Sequence, residues 1–130
     1  MNAQALNTDR APKPKGAYNQ AIACGNFIFL SGQTPRDLNG QALSDLPFGM
    51  QARRALDNLE AVAKSSNLSF GNAVKVTVYL RDLSNAAAFD EIYRGYISEP
   101  WPARTLVQSS FIDFELEIDA ILFGSPSIEG

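Results

Sequence analysis

Apolar and polar residues alternate with a period of two in several short stretches of this chain, and with a period near 3.6 in two longer ones. The period-two stretches predict strands at 18–23, 27–30, 74–80, 105–110 and 114–123. The longer stretches predict two helices. The first begins near Leu46 with Asp45 as its N-cap, and the second runs from Ser84 or Asn85 through Ile97. The predicted order is therefore ββ-α-β-α-ββ.

The segments between these elements carry turn and loop signals. Residues 1–15 are polar and then proline-rich, which predicts an irregular N-terminal arm. The tripeptide Cys24-Gly25-Asn26 separates two apolar runs and predicts a hairpin turn with positive φ. Residues 31–41 are expected to form a loop. No linker, repeat or low-complexity stretch divides the chain, so residues 1–130 are expected to form a single domain.

This order of elements predicts an α+β fold, a mixed sheet with both helices packed on one face. In the last strand, alternation sends Glu115, Glu117 and Asp119 to one face. Three carboxylates in a row are typical of a solvated strand face. However, Ile121 and Phe123 continue the same face, which indicates that part of it is covered. Partial burial and neighbouring like charges both raise a carboxyl pKa and favour a general base.

Composition narrows the functional classes. The 130 residues are 45% hydrophobic, with 11 basic and 14 acidic side chains and a net charge of −3. This balance argues against sequence-independent binding to nucleic acid, which requires a basic surface. The sequence contains neither a stretch long enough to cross a membrane nor a signal-peptide h-region, so a cytoplasmic protein is expected.

The chain lacks histidine and has one cysteine, Cys24. A Ser-His-Asp triad, a Cys-His pair and an imidazole zinc site are therefore excluded within the chain. Cys24 has no partner for an internal disulfide and is interpreted as a small packed residue. We expect chemistry without a metal or cofactor, carried out by carboxylate, hydroxyl, guanidinium, ammonium or backbone groups.

The most distinctive candidate is Arg104, which follows Pro100 and Pro102 and leads into a predicted strand. Proline restricts the backbone, so the guanidinium leaves from a defined position and can bind a carboxylate through two parallel hydrogen bonds. Glu117 on a neighbouring strand could supply an acid or base. The alternative interpretation is that Arg104 only stabilises a strand end through a surface ion pair.

Five segments occur in an order that resembles the RidA family of reactive-intermediate deaminases, also called the YjgF/YER-type family. They are Lys15-Gly16-Ala17-Tyr18-Asn19-Gln20-Ala21-Ile22, Gly25-Asn26-Phe27-Ile28-Phe29-Leu30-Ser31-Gly32-Gln33, Val74-Lys75-Val76-Thr77-Val78-Tyr79-Leu80-Arg81-Asp82-Leu83, Pro102-Ala103-Arg104 and Leu116-Glu117-Ile118. The resemblance extends from about Pro12 to Phe123.

The resemblance implies a chorismate-mutase-like domain in a barrel-like homotrimer, with active-site clefts between adjacent subunits. It implies that Arg104 grips the substrate carboxylate and that Glu117 activates the attacking water. Tyr18 and Ser31 would line the pocket, and Leu106 would contact the substrate through its backbone carbonyl. Compared with the best-known deaminases, the stretch from Arg104 to Glu117 is shorter by about two residues, which are missing from the turn after Ile112. An even-numbered deletion preserves the facing of side chains if it falls in a strand, and a tightened turn would still allow Glu117 to reach the site.

The resemblance also implies an activity. We expect an enamine/imine deaminase of the 2-iminobutanoate/2-iminopropanoate type, which hydrolyses 2-aminoacrylate-type imino acids to 2-oxo acids and ammonia. The alternative is a non-catalytic trimer that binds a small carboxylate metabolite in the cleft between subunits, and the shortened segment before Glu117 favours it. Ribonuclease activity is less favoured by an acidic chain. The expected partners are an imino or oxo acid and further copies of the chain, with neither nucleic acid nor membrane.

Overall fold

A computed structural model describes residues 2–125, in which one sheet contains six strands in the order β1-β2-β3-β6-β4-β5. The strands are β1 (Ala3–Leu6), β2 (Ala21–Cys24), β3 (Phe27–Gln33), β4 (Ala73–Leu80), β5 (Ala103–Gln108) and β6 (Leu116–Phe123). Only the β4–β5 pair is parallel among the described strands, and the chain crosses from one to the other through a helix. The sheet is therefore mixed, as predicted.

Two helices cover one face of this sheet, α1 (Phe48–Lys64) and α2 (Ala86–Tyr93). Helix α1 packs on β3 and β6, and α2 packs beside α1. The core between helices and sheet consists of fully buried apolar side chains, among them Leu56, Leu59, Val62, Val76, Val78, Leu80, Phe89, Leu116, Ile118 and Leu122. The α+β fold with both helices on one face is confirmed.

The predicted hairpin joins β2 to β3 through Gly25 and Asn26. Gly25 has φ of 59°, which glycine adopts without steric cost, and Cys24 pairs directly with Phe27.

The prediction of an irregular arm over residues 1–15 is wrong at its start. Ala3–Leu6 form strand β1, which pairs with β2 at the sheet edge. Only Leu6 of this strand is buried, so the strand is held mainly by backbone hydrogen bonds to β2. Its sequence therefore lacks the apolar alternation from which a strand is predicted.

The rest of the arm is irregular and is held by Gln20, which is 1% exposed. Its amide accepts a hydrogen bond from the backbone N–H of Thr8 at 2.6 Å. The same amide donates to the carbonyls of Thr8, Ala11 and Pro12 at 3.1, 3.3 and 2.9 Å.

The predicted loop over 31–41 begins too early. Strand β3 continues through Ser31 and Gly32 to Gln33, and its register with β6 shifts between Leu30 and Gln33. This irregularity breaks the alternation of side chains, so the last residues of the strand do not follow the period-two pattern from which strands are predicted.

The helix boundaries also differ from prediction. Asp45 is not the N-cap of α1, because the helix begins at Phe48 and Pro47 occupies the cap position without a side-chain hydrogen bond. Helix α2 is shorter than predicted, since a 3₁₀ turn at Leu83–Asn85 precedes it and Tyr93 ends it.

The last two strands also differ from the predicted bounds. Strand β5 begins two residues earlier than predicted, and β6 begins two residues later.

The helix-free face of the sheet carries a group of partly exposed apolar side chains near one end. Phe27 and Phe123 are cross-strand neighbours with ring centroids 5.1 Å apart, and Phe29 lies opposite Ile121. Phe27, Phe29 and Phe123 are 43–49% exposed. We call these four residues the apolar patch. The partial cover predicted for this face is present at Ile121, which is partly buried, whereas Phe123 is 49% exposed in the single chain.

Within residues 2–125, no helix combines the length and the apolar character that a membrane crossing requires.

Replacement of Asn58 by alanine should destabilise the fold. The buried Asn58 amide donates to the carbonyls of Thr34 and Arg36 at 3.1 and 3.0 Å, and its loss leaves both with one partner fewer. We expect the free energy of unfolding in urea to fall by about 1–3 kcal/mol. Asn39→Ala, at an exposed position in the following loop, is the control and should change it by less than about 0.5 kcal/mol. Equal stability of the two variants would contradict this account.

Candidate functional site

Glu117 lies in a cleft of about 290 Å³ bounded by β3, the start of β6 and the N-terminal arm. The lining side chains include two aromatic rings and three cations. They are Pro12, Lys13, Lys15, Tyr18, Gln20, Gln33, Thr34, Arg36, Phe114 and Glu117, with Gly32 at the base. The cleft can hold a small polar molecule next to one carboxylate.

A glycine makes this placement of Glu117 possible. A Cβ atom at Gly32 would lie 2.8 Å from Cδ and 2.9 Å from Cγ of Glu117. The carboxylate therefore lies across the backbone of Gly32, where any side chain would displace it. The glycine of the Ser-Gly-Gln segment has a steric role in the site.

Two causes raise the pKa of Glu117 above its ordinary value. Burial of the carboxyl is the larger, and the negative charge of Asp119 on the same strand face adds to it. Asp119 in turn accepts a hydrogen bond from the hydroxyl of Tyr79 at 3.1 Å. The predicted effect of partial burial and like charge on this carboxyl is confirmed.

Tyr18 also lines this cleft. The residue is 54% exposed, and its hydroxyl accepts a hydrogen bond from the backbone N–H of Lys15 at 3.4 Å. Ser31 has a different position, because its hydroxyl donates to the carbonyl of Asn19 at 2.6 Å and its N–H donates to the carbonyl of Gln20. Ser31 thus holds the backbone that carries Tyr18.

Arg104 lies in another cavity of about 470 Å³, lined also by Arg94, Trp101 and Pro102. Its guanidinium forms an ion pair with Asp90 at 2.9 Å and lies 4.8 Å from the centroid of the Tyr93 ring. In the single chain, therefore, the alternative interpretation of Arg104 as one half of an ion pair describes its contacts.

The groups around Arg104 are electrostatically coupled. Partial burial acts to raise the pKa of Asp90, but hydrogen bonds from Arg104 and Arg94 lower it below its ordinary value. Burial raises the pKa of Tyr93 to about 12, and the buried Tyr93 hydroxyl has no hydrogen-bond partner within the described residues. The cavity is thus a cationic pocket with a neutral phenol at its wall.

The prediction that Glu117 lies on a strand neighbouring that of Arg104 is wrong, because β4 lies between β5 and β6, and a single chain does not bring the two side chains together. Arg104 is in register with buried Val76 and contacts helix α2, so it lies on the helix-covered side of the sheet. Glu117 is in register with Tyr79 on the opposite face. Leu106 is on the same side as Arg104 and packs against the core. A site that uses both charged groups requires two chains.

Lys15 and Arg36 also line the Glu117 cleft, although the sequence alone predicted no role for either residue. Lys15 stands in one of the quoted segments, whereas Arg36 lies in a loop that has no periodicity. No sequence signal indicates that these two residues approach each other. Among residues 2–125, no group of three or more Cys, Asp or Glu side chains is placed to hold a metal ion.

Comparison with known proteins identifies relatives along nearly the whole chain. Residues 8–123 match the family model described as Endoribonuclease L-PSP. A RutC family protein of Pyrococcus abyssi is 38% identical over 95% of this chain and 98% of its own length. The Escherichia coli protein named "Putative reactive intermediate deaminase TdcF" is 35% identical over 89% of this chain and 93% of its own.

Solved structures show the same fold. RidA from a Psychrobacter species is 35% identical, with a TM-score of 0.85 over 92% of this chain and 98% of that one. The crystal structure of Escherichia coli TdcF with bound serine is 32% identical, with a TM-score of 0.84 over 94% and 99% of the two chains.

Asp119→Asn should lower the pKa of Glu117 but leave it above the ordinary value. The substitution removes the nearby charge, whereas burial, the larger cause, remains. Side-chain carboxyl titration by NMR measures both values. Glu91→Gln, on the exposed side of α2, makes the same charge change and should leave the Glu117 midpoint in place. An ordinary pKa for Glu117 in the wild type would contradict the description of the cleft.

Proposed function

The chain belongs to the Endoribonuclease L-PSP family, the RidA-type family whose motifs it carries, and we propose that it hydrolyses reactive 2-imino acids to 2-oxo acids and ammonia. The observation that carries this proposal is the half-buried Glu117, a carboxyl of raised pKa held against Gly32 in a cleft large enough for a small acid. The family resemblance predicted from the sequence is confirmed by the matches described above.

The proposed reaction needs one group that takes and returns a proton. The Glu117 carboxylate accepts a proton from water as the water oxygen bonds to the carbon of the protonated imine, whose nitrogen becomes a neutral amine. The protonated Glu117 then donates this proton to the amine, and the C–N bond breaks to release ammonia. The hydroxyl proton passes to the regenerated Glu117 carboxylate as the carbonyl of the 2-oxo acid forms, and Glu117 returns it to the solvent. A raised pKa supports both steps, since the group exchanges protons near neutral pH more readily than an ordinary glutamate.

Substrate binding is assigned to Arg104 of a neighbouring subunit. In this proposal its guanidinium leaves Asp90 and binds the substrate carboxylate, while Glu117 of the first subunit faces the imine carbon. The serine bound in the TdcF structure supports a ligand of amino-acid size and charge in this family. Tyr18 closes the cleft, Ser31 holds its backbone, and Leu106 forms the wall beside Arg104. Neither metal nor cofactor is required.

A homotrimer is the proposed assembly. The apolar patch on the helix-free face needs cover, and the opposite placement of Arg104 and Glu117 needs a second chain. A closed ring of three copies would meet both requirements with one type of contact.

The alternative function is binding of a small carboxylate metabolite without catalysis. The ion pair between Arg104 and Asp90 favours it, because an arginine that stays paired cannot orient an imino acid against Glu117. Ribonuclease activity is not proposed, since the net charge is −3 and histidine is absent.

Glu117→Gln should lower kcat for hydrolysis of freshly generated 2-iminobutanoate by about 10²–10⁴, the usual contribution of a positioned base. Arg104→Ala should mainly raise KM, because the substrate carboxylate loses its bidentate partner. Release of 2-oxobutanoate over the buffer rate is the measurement, and Glu91→Gln is the control. Wild type and both variants acting at the buffer rate would leave the metabolite-binding alternative, for which a co-crystal with 2-oxobutanoate gives the position of Glu117.

Sedimentation should show a particle of three 14.1 kDa chains at micromolar concentration. Phe123→Asp should dissociate it and lower activity together, because it places a charge within the apolar patch, where a large side chain contributes about 1.5–3 kcal/mol on burial. Met50→Asp, at an exposed position on α1, introduces the same charge outside the patch and should leave the assembly intact. A wild-type monomer with full activity would rule out the two-chain site.

A further inference from the structure

Two cations converge on one backbone oxygen at the wall of the Glu117 cleft. The ammonium of Lys15 donates to the carbonyl of Gly40 at 3.0 Å, and the guanidinium of Arg36 donates to the same carbonyl at 2.9 Å. The two nitrogens thus lie within about 6 Å of each other, a distance at which the like charges repel. Both residues line the cleft that contains Glu117.

The chain holds both cations in place. Asn58 and Arg54 bind the backbone carbonyl of Arg36, and the guanidinium lies 5.3 Å from the centroid of the Phe114 ring. Lys15 lies against Gly40, where an added Cβ would be 2.8 Å from its Cε, and Gly40 has φ of 82°. This glycine therefore has both a conformational and a steric reason to be at the turn.

No counter-ion accompanies this pair in the part of the chain that the structure describes. Neither Lys15 nor Arg36 forms an ion pair with a carboxylate of residues 2–125. The adjacent acid, Asp37, accepts hydrogen bonds from the N–H groups of Asn39 and Gln41 at 3.0 and 2.9 Å. An anion between Lys15 and Arg36 would remove the repulsion and accept hydrogen bonds from both.

We propose that Lys15 and Arg36 bind a second carboxylate of the substrate, so that the preferred substrates are dicarboxylic 2-imino acids. This inference rests on the proposed function, in which Arg104 of a neighbouring subunit binds the carboxylate next to the imine. The side-chain carboxylate then lies between the Lys15 ammonium and the Arg36 guanidinium and accepts hydrogen bonds from both. Lys13, a third cation at the rim of the cleft, adds to the positive potential.

The reaction balances as it does for a monocarboxylic substrate. The oxygen of one water becomes the carbonyl oxygen of a 2-oxo dicarboxylate, the imine nitrogen leaves as ammonia, and both carboxylates are unchanged. The reaction that supplies such a substrate is an oxidation of an acidic amino acid or an elimination that yields its enamine.

The test compares 2-iminosuccinate with 2-iminobutanoate, each generated in the assay by an amino-acid oxidase. Wild type should show a ratio of kcat/KM values of about 10 or more in favour of the dicarboxylic substrate, the discrimination expected from one charged contact. Lys15→Gln and Arg36→Gln should each lower this ratio by about 10-fold, and Lys15→Arg should retain most of it. Lys64→Gln, at the exposed end of α1, should keep the ratio. A wild-type ratio near one would overturn the inference.

Binding separates this inference from the proposed function. If wild type hydrolyses neither substrate, deamination fails, and calorimetric titration with 2-oxoglutarate and 2-oxobutanoate decides the second carboxylate site alone. Tighter binding of 2-oxoglutarate that Lys15→Gln and Arg36→Gln abolish supports the site, with thermal unfolding as the check that both variants are folded. Equal affinity for the two oxo acids overturns it. Tighter binding of inorganic phosphate or of a short RNA also overturns it and assigns the cations to phosphate.

Discussion

The position of strand β6 is the constraint on which the rest of the molecule depends. This strand lies between β3 and β4 and forms backbone hydrogen bonds with both. Its side chains alternate between a fully buried set that completes the core under the helices and a second set on the opposite face. The second set begins with Glu117 and Asp119 and ends with Ile121 and Phe123. One eight-residue strand thus supplies the carboxyl of the cleft and part of the apolar patch, and a register slip of one residue would lose both.

The carboxyl of Glu117 is held where its charged form is disfavoured. Its pKa is raised in the folded state, so the folded protein binds this proton more tightly than the unfolded chain does. Stability from this group is therefore greatest below the ordinary pKa and falls as the pH rises through the raised value. At neutral pH this stabilisation is lost, so the burial of Glu117 does not serve stability there, which agrees with the proposed role of the carboxyl as a general base.

The sequence could predict those parts of the fold in which the burial of side chains within a single strand or helix produces a periodic pattern of apolar residues. The alternation in β6 predicted that Glu117 and Asp119 share a face, and the stiff segment before Arg104 predicted a strand start. Strand β1 gave no signal, since its contacts are backbone hydrogen bonds to β2. The sequence also gave no signal that Lys15 and Arg36 lie close together, because both side chains bind the carbonyl of Gly40, which is 25 residues from Lys15. Contacts made through distant backbone atoms leave no periodicity to read.

Arg104 illustrates how assembly and chemistry are linked in the proposed site. Its partner Asp90 has a lowered pKa and stays ionised at neutral pH, so the ion pair persists until a competing carboxylate arrives. Such a pair near the surface contributes only about 0–1 kcal/mol, which a bidentate substrate carboxylate can exceed. The Tyr93 ring, whose centroid lies 4.8 Å from the guanidinium, provides a contact that does not depend on Asp90. Since Glu117 lies on the other face of the sheet, the proposed site needs a neighbouring chain to present this arginine, and the proposed catalysis therefore depends on the contact between two copies.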